Sequence, residues 1–188
     1  MRFLTDLRRE LRIRWNRTDK TGWAVGTLVL ALASLFALLM SAVMDHKEER
    51  EDRAVQAQRK QLECLARNVY YEARGEPIAG QFAVAEVTMN RQASRRYPRT
   101  VCEVVHQKNW DPLRKRYVGA FSWTEFDVLP EPDGEEWERA QRVAEAVYYR
   151  KAVPTLNGAM YFHATYIRPS WAKSKQRVTR IGKHVFYK

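Results

Sequence analysis

The chain has 188 residues, with 33 Lys and Arg against 22 Asp and Glu and a net charge of +11. That length allows one folded domain of ordinary size with some residues left over. A balance this basic favours polyanionic partners, of which nucleic acid is the usual one. The membrane topology predicted below, with the folded domain outside the cytoplasm, argues against nucleic acid.

The first recognisable element is an apolar run, WAVGTLVLALASLFALLMSAVM, at residues 23–44. A helix of that length spans roughly 30 Å, the thickness of the hydrocarbon layer of a bilayer, so it predicts a transmembrane helix. Residues 1–22 carry seven basic side chains against three acidic ones. The positive-inside rule therefore predicts a single-pass protein of the cytoplasmic (inner) membrane with its N-terminus in the cytoplasm and the rest periplasmic or extracellular.

No small-residue cleavage site of the A-x-A kind follows the apolar run, which favours an uncleaved anchor in contact with membrane lipid. A cleaved or released signal-anchor is the alternative. After the run comes a charged stretch, residues 45–60, that is typical of a solvated helical stalk. The folded domain then occupies residues 61–188, with 21 basic and 14 acidic residues. For a basic exported domain we expect cell-wall polymers or anionic lipid as partners.

Both cysteines, Cys64 and Cys102, lie beyond the apolar run. An oxidising compartment favours a disulfide between them, and two buried free thiols are the alternative.

Periodicity predicts a mostly helical domain. Apolar residues at helical spacing predict a helix ending before Gly75 and Pro77, a second helix at about 78–92, and a third at about 135–150. Residues 159–167 are rich in aromatic and β-prone residues and predict a strand, with which the C-terminal RIGKHVFYK is able to pair. Residues 93–134 show few periodic signals and are interpreted as a long loop, which is often functional.

Glu72 stands on the apolar face of the first of these helices, in line with Leu65 and Val69. Burial and the negative end of the helix dipole both favour the neutral acid, the form that a glycosidase uses to protonate a leaving oxygen. The alternative is a structural glutamate paired with Arg67 or Arg74. Glu76, between Gly75 and Pro77, is interpreted as a cap on the second helix rather than a catalytic group.

The other candidates are aromatic and polar. On a strand, Tyr161 and His163 share one face while Phe162 points away. Trp123, Tyr161 and Trp171 are candidates for stacking on sugar rings. The chain has four histidines, but no H-E-x-x-H motif or close Cys/His spacing, so we expect no metal and no cofactor.

Five blocks of this sequence resemble the cell wall hydrolase family of the spore-cortex-lytic enzyme SleB. They are CLARNVYYEARGEPIAGQFAVAEVTMNR, YPRTVCEVV, AFSWTE, GAMYFHATYIRPSW and RIGKHVFY, in the family's order and spacing. The resemblance extends over about residues 61–188. The resemblance implies an α+β fold, a mostly helical lysozyme-like domain with a small β-hairpin or sheet. In the chain, this domain is preceded by the one predicted N-terminal transmembrane helix.

The resemblance also implies a lytic transglycosylase that cuts peptidoglycan glycan strands between N-acetylmuramic acid and N-acetylglucosamine. Glu72 would be the single catalytic acid and base, because the muramic C6 hydroxyl, not water, is the acceptor. By the same comparison, a further set of residues is expected to line the glycan cleft: Gln81, Ser122, Trp123, Thr124, Tyr161 and His163.

The chain departs from the spore enzymes in its membrane anchor and in the long segment 106–134, which contains KNWDPLRKRYVG. Ala120 also stands where many relatives have a polar residue. Two other functions stay open: a zinc-dependent N-acetylmuramoyl-L-alanine amidase using His163, His184 and a carboxylate, and a non-catalytic wall-binding scaffold. The sequence indicates no particular protein partner.

Overall fold

The computed structural model describes residues 2–17, 20–112 and 114–188, which divide into two compact units, Met1–Ala54 and Val55–Lys188. The helices are α1 (Arg2–Arg17), α2 (Lys20–Ala73), α3 (Ile78–Ala93), α4 (Val101–Val105) and α5 (Gly134–Tyr148). The strands are β1 (Lys108–Asp111), β2 (Arg116–Gly119), β3 (Tyr161–Ala164), β4 (Arg177–Ile181) and β5 (His184–Tyr187). Two 3-10 helices lie at Ser122–Glu125 and Ser170–Ser174.

The first unit contains α1 and the N-terminal part of α2. By its length and composition, α2 is able to cross a membrane. The apolar residues 23–44 all lie within this helix, and their side chains are exposed.

The second unit is organised around α3, which is buried on two sides. One side faces a cluster of helical residues that includes Leu65 and Val69 of α2 and Val143 of α5. The other side, with Ala83 and Val87, packs against Leu156, Ala159 and Phe186. This double burial explains why every residue from position 83 to position 88 of α3 is buried.

Two small antiparallel sheets complete this unit. The first is the hairpin of β1 and β2, and the second has the strand order β3-β5-β4. In the second sheet, Tyr161 pairs with Tyr187 and Ala164 pairs with His184. The prediction that the C-terminal segment pairs with the strand near residue 161 is therefore confirmed.

The predicted elements agree with these bounds at the long, periodic helices. The helix predicted at 78–92 is α3, and the one predicted at 135–150 is α5. The strand predicted at 159–167 is shorter, because turns closed by Ala159 N–H to Leu156 O and by Ile167 N–H to Ala164 O bound β3. The mostly helical α+β fold class is confirmed.

The prediction of a long loop at 93–134 is wrong in its detail. This segment contains α4, the β1–β2 hairpin, the 3-10 helix Ser122–Glu125 and the start of α5. The helix α4, each strand of the hairpin and the 3-10 helix are only four or five residues long, too short to display a hydrophobic period. Local bonds form them instead, as in α4, where Thr100 and Glu103 make a reciprocal capping box.

A disulfide joins Cys64 of α2 to Cys102 of α4, as the exported topology led us to expect. The two cysteines are 38 residues apart in sequence. A cross-link of that span restricts the unfolded chain and, on a chain-entropy estimate, stabilises the fold by about 4 kcal/mol. It ties a helix with little hydrogen bonding of its own to the helix that carries Glu72.

We expect Cys64→Ser to lower the free energy of unfolding of the Val55–Lys188 unit by about 2 to 4 kcal/mol. Urea denaturation of the full-length protein in detergent measures this loss, with Cys102→Ser and the double variant as matched controls. The three variants should agree, because each removes the same cross-link. Unchanged unfolding midpoints, and no mobility shift of the wild type on non-reducing gels, would contradict the disulfide.

Candidate active site

Glu72 lies in the last turn of α2 and is half-buried. The helix stops directly after it, because Gly75 follows and Pro77 cannot continue it. Burial raises the pKa of Glu72 to about 7, outweighing the hydrogen bonds and the positive charge that favour the carboxylate. Near neutral pH, this residue is therefore able both to give and to take a proton.

The 3-10 helix Ser122–Glu125 supplies the hydrogen bonds to Glu72. The backbone N–H and the hydroxyl of Ser122, and the backbone N–H of Trp123, donate to its carboxylate. The first N–H groups of a helical turn have no partner within the turn, so they are free to bind an acceptor. Ser122, a predicted cleft residue, thus lies directly against the proposed acid.

Trp123 is positioned by α2. Its indole Nε1 donates to Oδ1 of Asn68 at 2.9 Å, and its ring stacks on Tyr71 with 4.7 Å between centroids. Asn68 is completely buried, and its Nδ2 donates to the hydroxyl of Thr88 on α3 at 3.0 Å. This chain of bonds holds the 3-10 helix in register with the end of α2.

Arg91 of α3 is a site residue that the sequence analysis did not identify. Its charge lowers the pKa of Glu72, while burial lowers the pKa of Arg91 itself. Its Nε donates to Met160 O at 2.7 Å, and its guanidinium lies 5.0 Å from the centroid of the Phe121 ring. The only sequence signal was an arginine at helical spacing from Val84 and Val87 on a buried face.

The alternative partners of Glu72 are engaged elsewhere. Arg67 bonds Glu63 at 3.0 Å and Glu131 at 2.7 Å. Arg74 donates to the Tyr70 hydroxyl at 3.0 Å. Neither pairing explains Glu72 as a structural glutamate.

Glu76 does not cap α3 as predicted. The cap position of α3 is Pro77, with no side-chain cap bond. Instead, Glu76 Oε2 accepts the backbone N–H of Lys183 at 2.8 Å, in the turn between β4 and β5. A Cβ on Gly182, which has φ of +56°, would meet the same oxygen, so glycine fits both the turn and the contact.

Tyr161 and His163 share one face of β3, as predicted, and both contact Trp171. Tyr161 is half-buried, shares a hydrogen bond with Tyr97, and lies under the ammonium of Lys175 at 4.3 Å. These aromatic rings form one contiguous cluster around β3.

Three other predicted cleft residues have structural partners. Gln81 is 1% exposed and donates to Glu76 O at 3.2 Å, so it lies inside the fold rather than on a cleft surface. His163 is buried too, with Nε2 2.9 Å from the Tyr187 hydroxyl. The Thr124 hydroxyl donates to Phe121 O at 2.8 Å and so closes the turn at the start of the 3-10 helix.

The described residues contain no group of three or more His, Cys, Asp or Glu side chains able to hold a metal ion. Of the two histidines that a zinc amidase would need, His163 has both ring nitrogens within hydrogen-bond distance of protein oxygens. The other, His184, is buried, and burial lowers its pKa.

Comparison with known proteins agrees with the five sequence blocks. Residues 75–187 match the Cell Wall Hydrolase family. The chain belongs to this family. Glu72 lies just before the matched segment, so its assignment rests on the geometry around it.

Members of the family include spore cortex-lytic enzymes to which the chain is similar. It is 33% identical over 126 residues to the enzyme of Halalkalibacterium halodurans, covering 66% of this chain and 34% of that protein. It is 33% identical over 132 residues to the enzyme of Oceanobacillus iheyensis, covering 68% and 41%. The chain thus spans less than half the length of these curated relatives.

Two solved structures of family members are also similar. One is the catalytic domain of the germination-specific lytic transglycosylase SleB from Bacillus anthracis, with 26% identity, a TM-score of 0.48, and coverage of 68% of this chain and 93% of that one. The other is the catalytic domain of the Bacillus cereus SleB protein, with 26% identity and a TM-score of 0.49, covering 69% and 91%.

The raised pKa of Glu72 predicts a pH-dependent cost to stability. The folded protein holds the proton up to a pH of about 7, whereas the unfolded chain releases it near 4.5. Stability from this group is therefore complete below 4.5 and is lost as pH rises through 7. We expect Glu72→Gln, which stays neutral, to match the wild type at pH 4 and to be more stable at pH 8 by as much as about 3 kcal/mol.

Thermal melts of both proteins from pH 4 to pH 8 measure this difference. Glu48→Gln, an exposed change on the same helix, is the control and should show no such divergence. Parallel melting curves for the wild type and Glu72→Gln across the range would show that Glu72 titrates normally.

Proposed function

We propose that this chain is a membrane-anchored peptidoglycan hydrolase that cleaves the bond between N-acetylmuramic acid and N-acetylglucosamine. It would act as a lytic transglycosylase with Glu72 as its only acid and base. The observation that carries the proposal is the half-buried Glu72, which has a pKa of about 7. Three hydrogen-bond donors and the charge of Arg91 act on its carboxylate. Membership of the cell wall hydrolase family supports the substrate class.

In the first step, the protonated Glu72 gives its proton to the glycosidic oxygen as the bond to C1 of the muramic residue breaks. The carboxylate that remains is stabilised by the N–H groups of Ser122 and Trp123 and by the charge of Arg91. It then accepts the proton of the muramic C6 hydroxyl as that oxygen bonds to C1. The products are a 1,6-anhydro sugar end and a free hydroxyl on the leaving sugar, and Glu72 is protonated again.

This scheme uses one carboxylate, whereas hydrolysing glycosidases use two. The nearest acidic residue along the chain, Glu76, has its carboxylate committed to Lys183 N–H. Glu125, on the 3-10 helix of the site, accepts from Gly119 N–H and pairs with Arg116. Each of these two carboxylates is thus engaged by other groups of the fold.

Digestion of purified sacculi followed by mass analysis of the muropeptides tests the function. We expect fragments with 1,6-anhydro ends from the wild type and a loss of at least about a thousandfold in rate for Glu72→Gln, since that variant has no proton to give. Glu76→Gln is the control for general damage to this region, because it weakens the bond to Lys183 in the neighbouring turn. This variant should retain measurable cleavage.

Other outcomes distinguish the alternatives. Ordinary reducing ends would indicate a hydrolytic muramidase. Intact glycans with freed peptides that disappear on chelation would indicate a zinc amidase. Cleavage unchanged by Glu72→Gln would remove Glu72 from the mechanism, and inactivity of the wild type would favour a scaffold.

The anchor is part of the same proposal. Along residues 23–44, the helix leaves large apolar side chains exposed, with Leu30 and Leu38 70% and 68% accessible. Exposed apolar surface of that extent supports contact with an apolar environment such as lipid. The excess of basic residues in 1–22 supports a cytoplasmic N-terminus.

We expect the full-length protein to stay in the membrane fraction after alkaline carbonate washing. A protease added to spheroplasts should remove residues 55–188 while sparing an N-terminal tag. Release by the wash, or protection of the C-terminal unit, would contradict the anchor or its orientation.

A further inference from the structure

The β1–β2 hairpin presents two large aromatic side chains to solvent. Trp110 is 55% exposed and Tyr117 is 63% exposed. They are directly opposite each other in the strand register, and their rings meet edge to face with 5.4 Å between centroids. Together they form an exposed aromatic platform, to which Lys108 adds a positive charge on the same face of β1.

The platform is not what fastens the hairpin to the domain. Glu125 does this, by accepting Gly119 N–H at 2.6 Å and pairing with Arg116 at 3.0 Å. Ala120 N–H adds a bond to Gln107 O at 2.7 Å. A Cβ on Gly119 would meet the Thr124 hydroxyl, so the base of the hairpin lies close against the 3-10 helix. The aromatic pair is therefore free to bind something else.

The platform is also close in sequence to the residues that donate hydrogen bonds to the proposed acid. Tyr117 stands five residues before Ser122, so their Cα atoms are at most about 18 Å apart. Ser122 in turn donates to Glu72. A polymer threaded past Glu72 would need only a few sugar units to reach Tyr117.

The chemistry of the hairpin favours a glycan strand as that polymer. Flat aromatic rings offer large apolar faces of the kind that pack on the C–H faces of sugars. The hairpin sequence from Lys108 to Gly119 carries four basic residues and one acidic residue, Asp111. Peptidoglycan stems carry carboxylates, so the charge is complementary as well.

We propose that Trp110 and Tyr117 form an outlying glycan-binding site for the polymeric substrate, binding sugar units beyond those at Glu72. This inference rests on the proposed function for the identity of the polymer. It assigns a role in substrate affinity to a segment outside the catalytic machinery.

The test measures binding separately from cleavage. In a Glu72→Gln background, which should not cleave, the affinity of the full-length protein in detergent for purified sacculi is measured by co-sedimentation. We expect the double change Trp110→Ala with Tyr117→Ala to weaken binding by about tenfold or more, since each ring loses apolar burial. In the otherwise wild-type protein, KM for sacculi should rise by a similar factor with little change in kcat.

Two matched variants separate contact from folding. A Val pair at positions 110 and 117 keeps an apolar cross-strand contact that supports the hairpin but has no ring faces, and it should bind as weakly as the Ala pair. Tyr149→Ala removes another exposed tyrosine in an edge-to-face pair, at the end of α5, and should bind normally.

Unchanged affinity in the Ala pair, or affinity restored by the Val pair, overturns the proposal even if Glu72 is catalytic. Conversely, a wild type that releases no glycan fragments would defeat the proposed function. Ring-dependent binding to sacculi would still support this site.

Discussion

The burial of α3 is the constraint on which the Val55–Lys188 unit depends. A helix covered on two sides turns much of its polar surface away from water, and a buried polar group is costly unless it has a hydrogen-bond partner within the protein. Glu86 meets this need by accepting the N–H groups of Thr155 and Leu156, both at 2.8 Å. Asn90 and Arg91 meet it by donating to the carbonyls of Ala159 and Met160. The loop that leads into β3 is thereby fixed to the central helix.

The same constraint creates the properties of Glu72. Asn68 and Thr88 join α2 to α3 inside the core, and Asn68 also holds Trp123 in place. The packing that excludes water from these bonds also removes it from the carboxyl group, which raises its pKa. Donors and positive charge beside it keep the ionised form accessible. A single residue is thus balanced between its two protonation states by burial against hydrogen bonding.

The sequence predicts the elements that have a periodic pattern of apolar residues and the residues that lie in the family's sequence blocks. The long helices show their buried faces in the spacing of apolar residues, and β3 and β5 show theirs in β-prone composition. Glu72 is identifiable because a carboxylate on an apolar face is anomalous. The family blocks add Ser122 and Trp123 as predicted cleft residues. In the structure both donate hydrogen bonds to Glu72, and their role in binding glycan stays a prediction.

What the sequence does not predict depends on distant partners. Arg91 reaches Met160, 69 positions away, and Trp123 reaches Asn68, 55 positions away; neither pairing leaves a local pattern. Gln81 is expected in the cleft because it is a polar residue in the same family block as Glu72, but its side chain is buried inside the fold. Four-residue strands such as β1 and β2 are likewise set by their pairing with each other rather than by any period.

The bond between Glu76 and Lys183 links positions 107 apart in sequence. It joins the turn that ends the Glu72 helix to the turn between β4 and β5. A contact between positions so far apart forms only after a long stretch of chain has folded back, and such contacts slow folding. We therefore expect the turn beside the proposed acid to become ordered late, when β4 and β5 have paired.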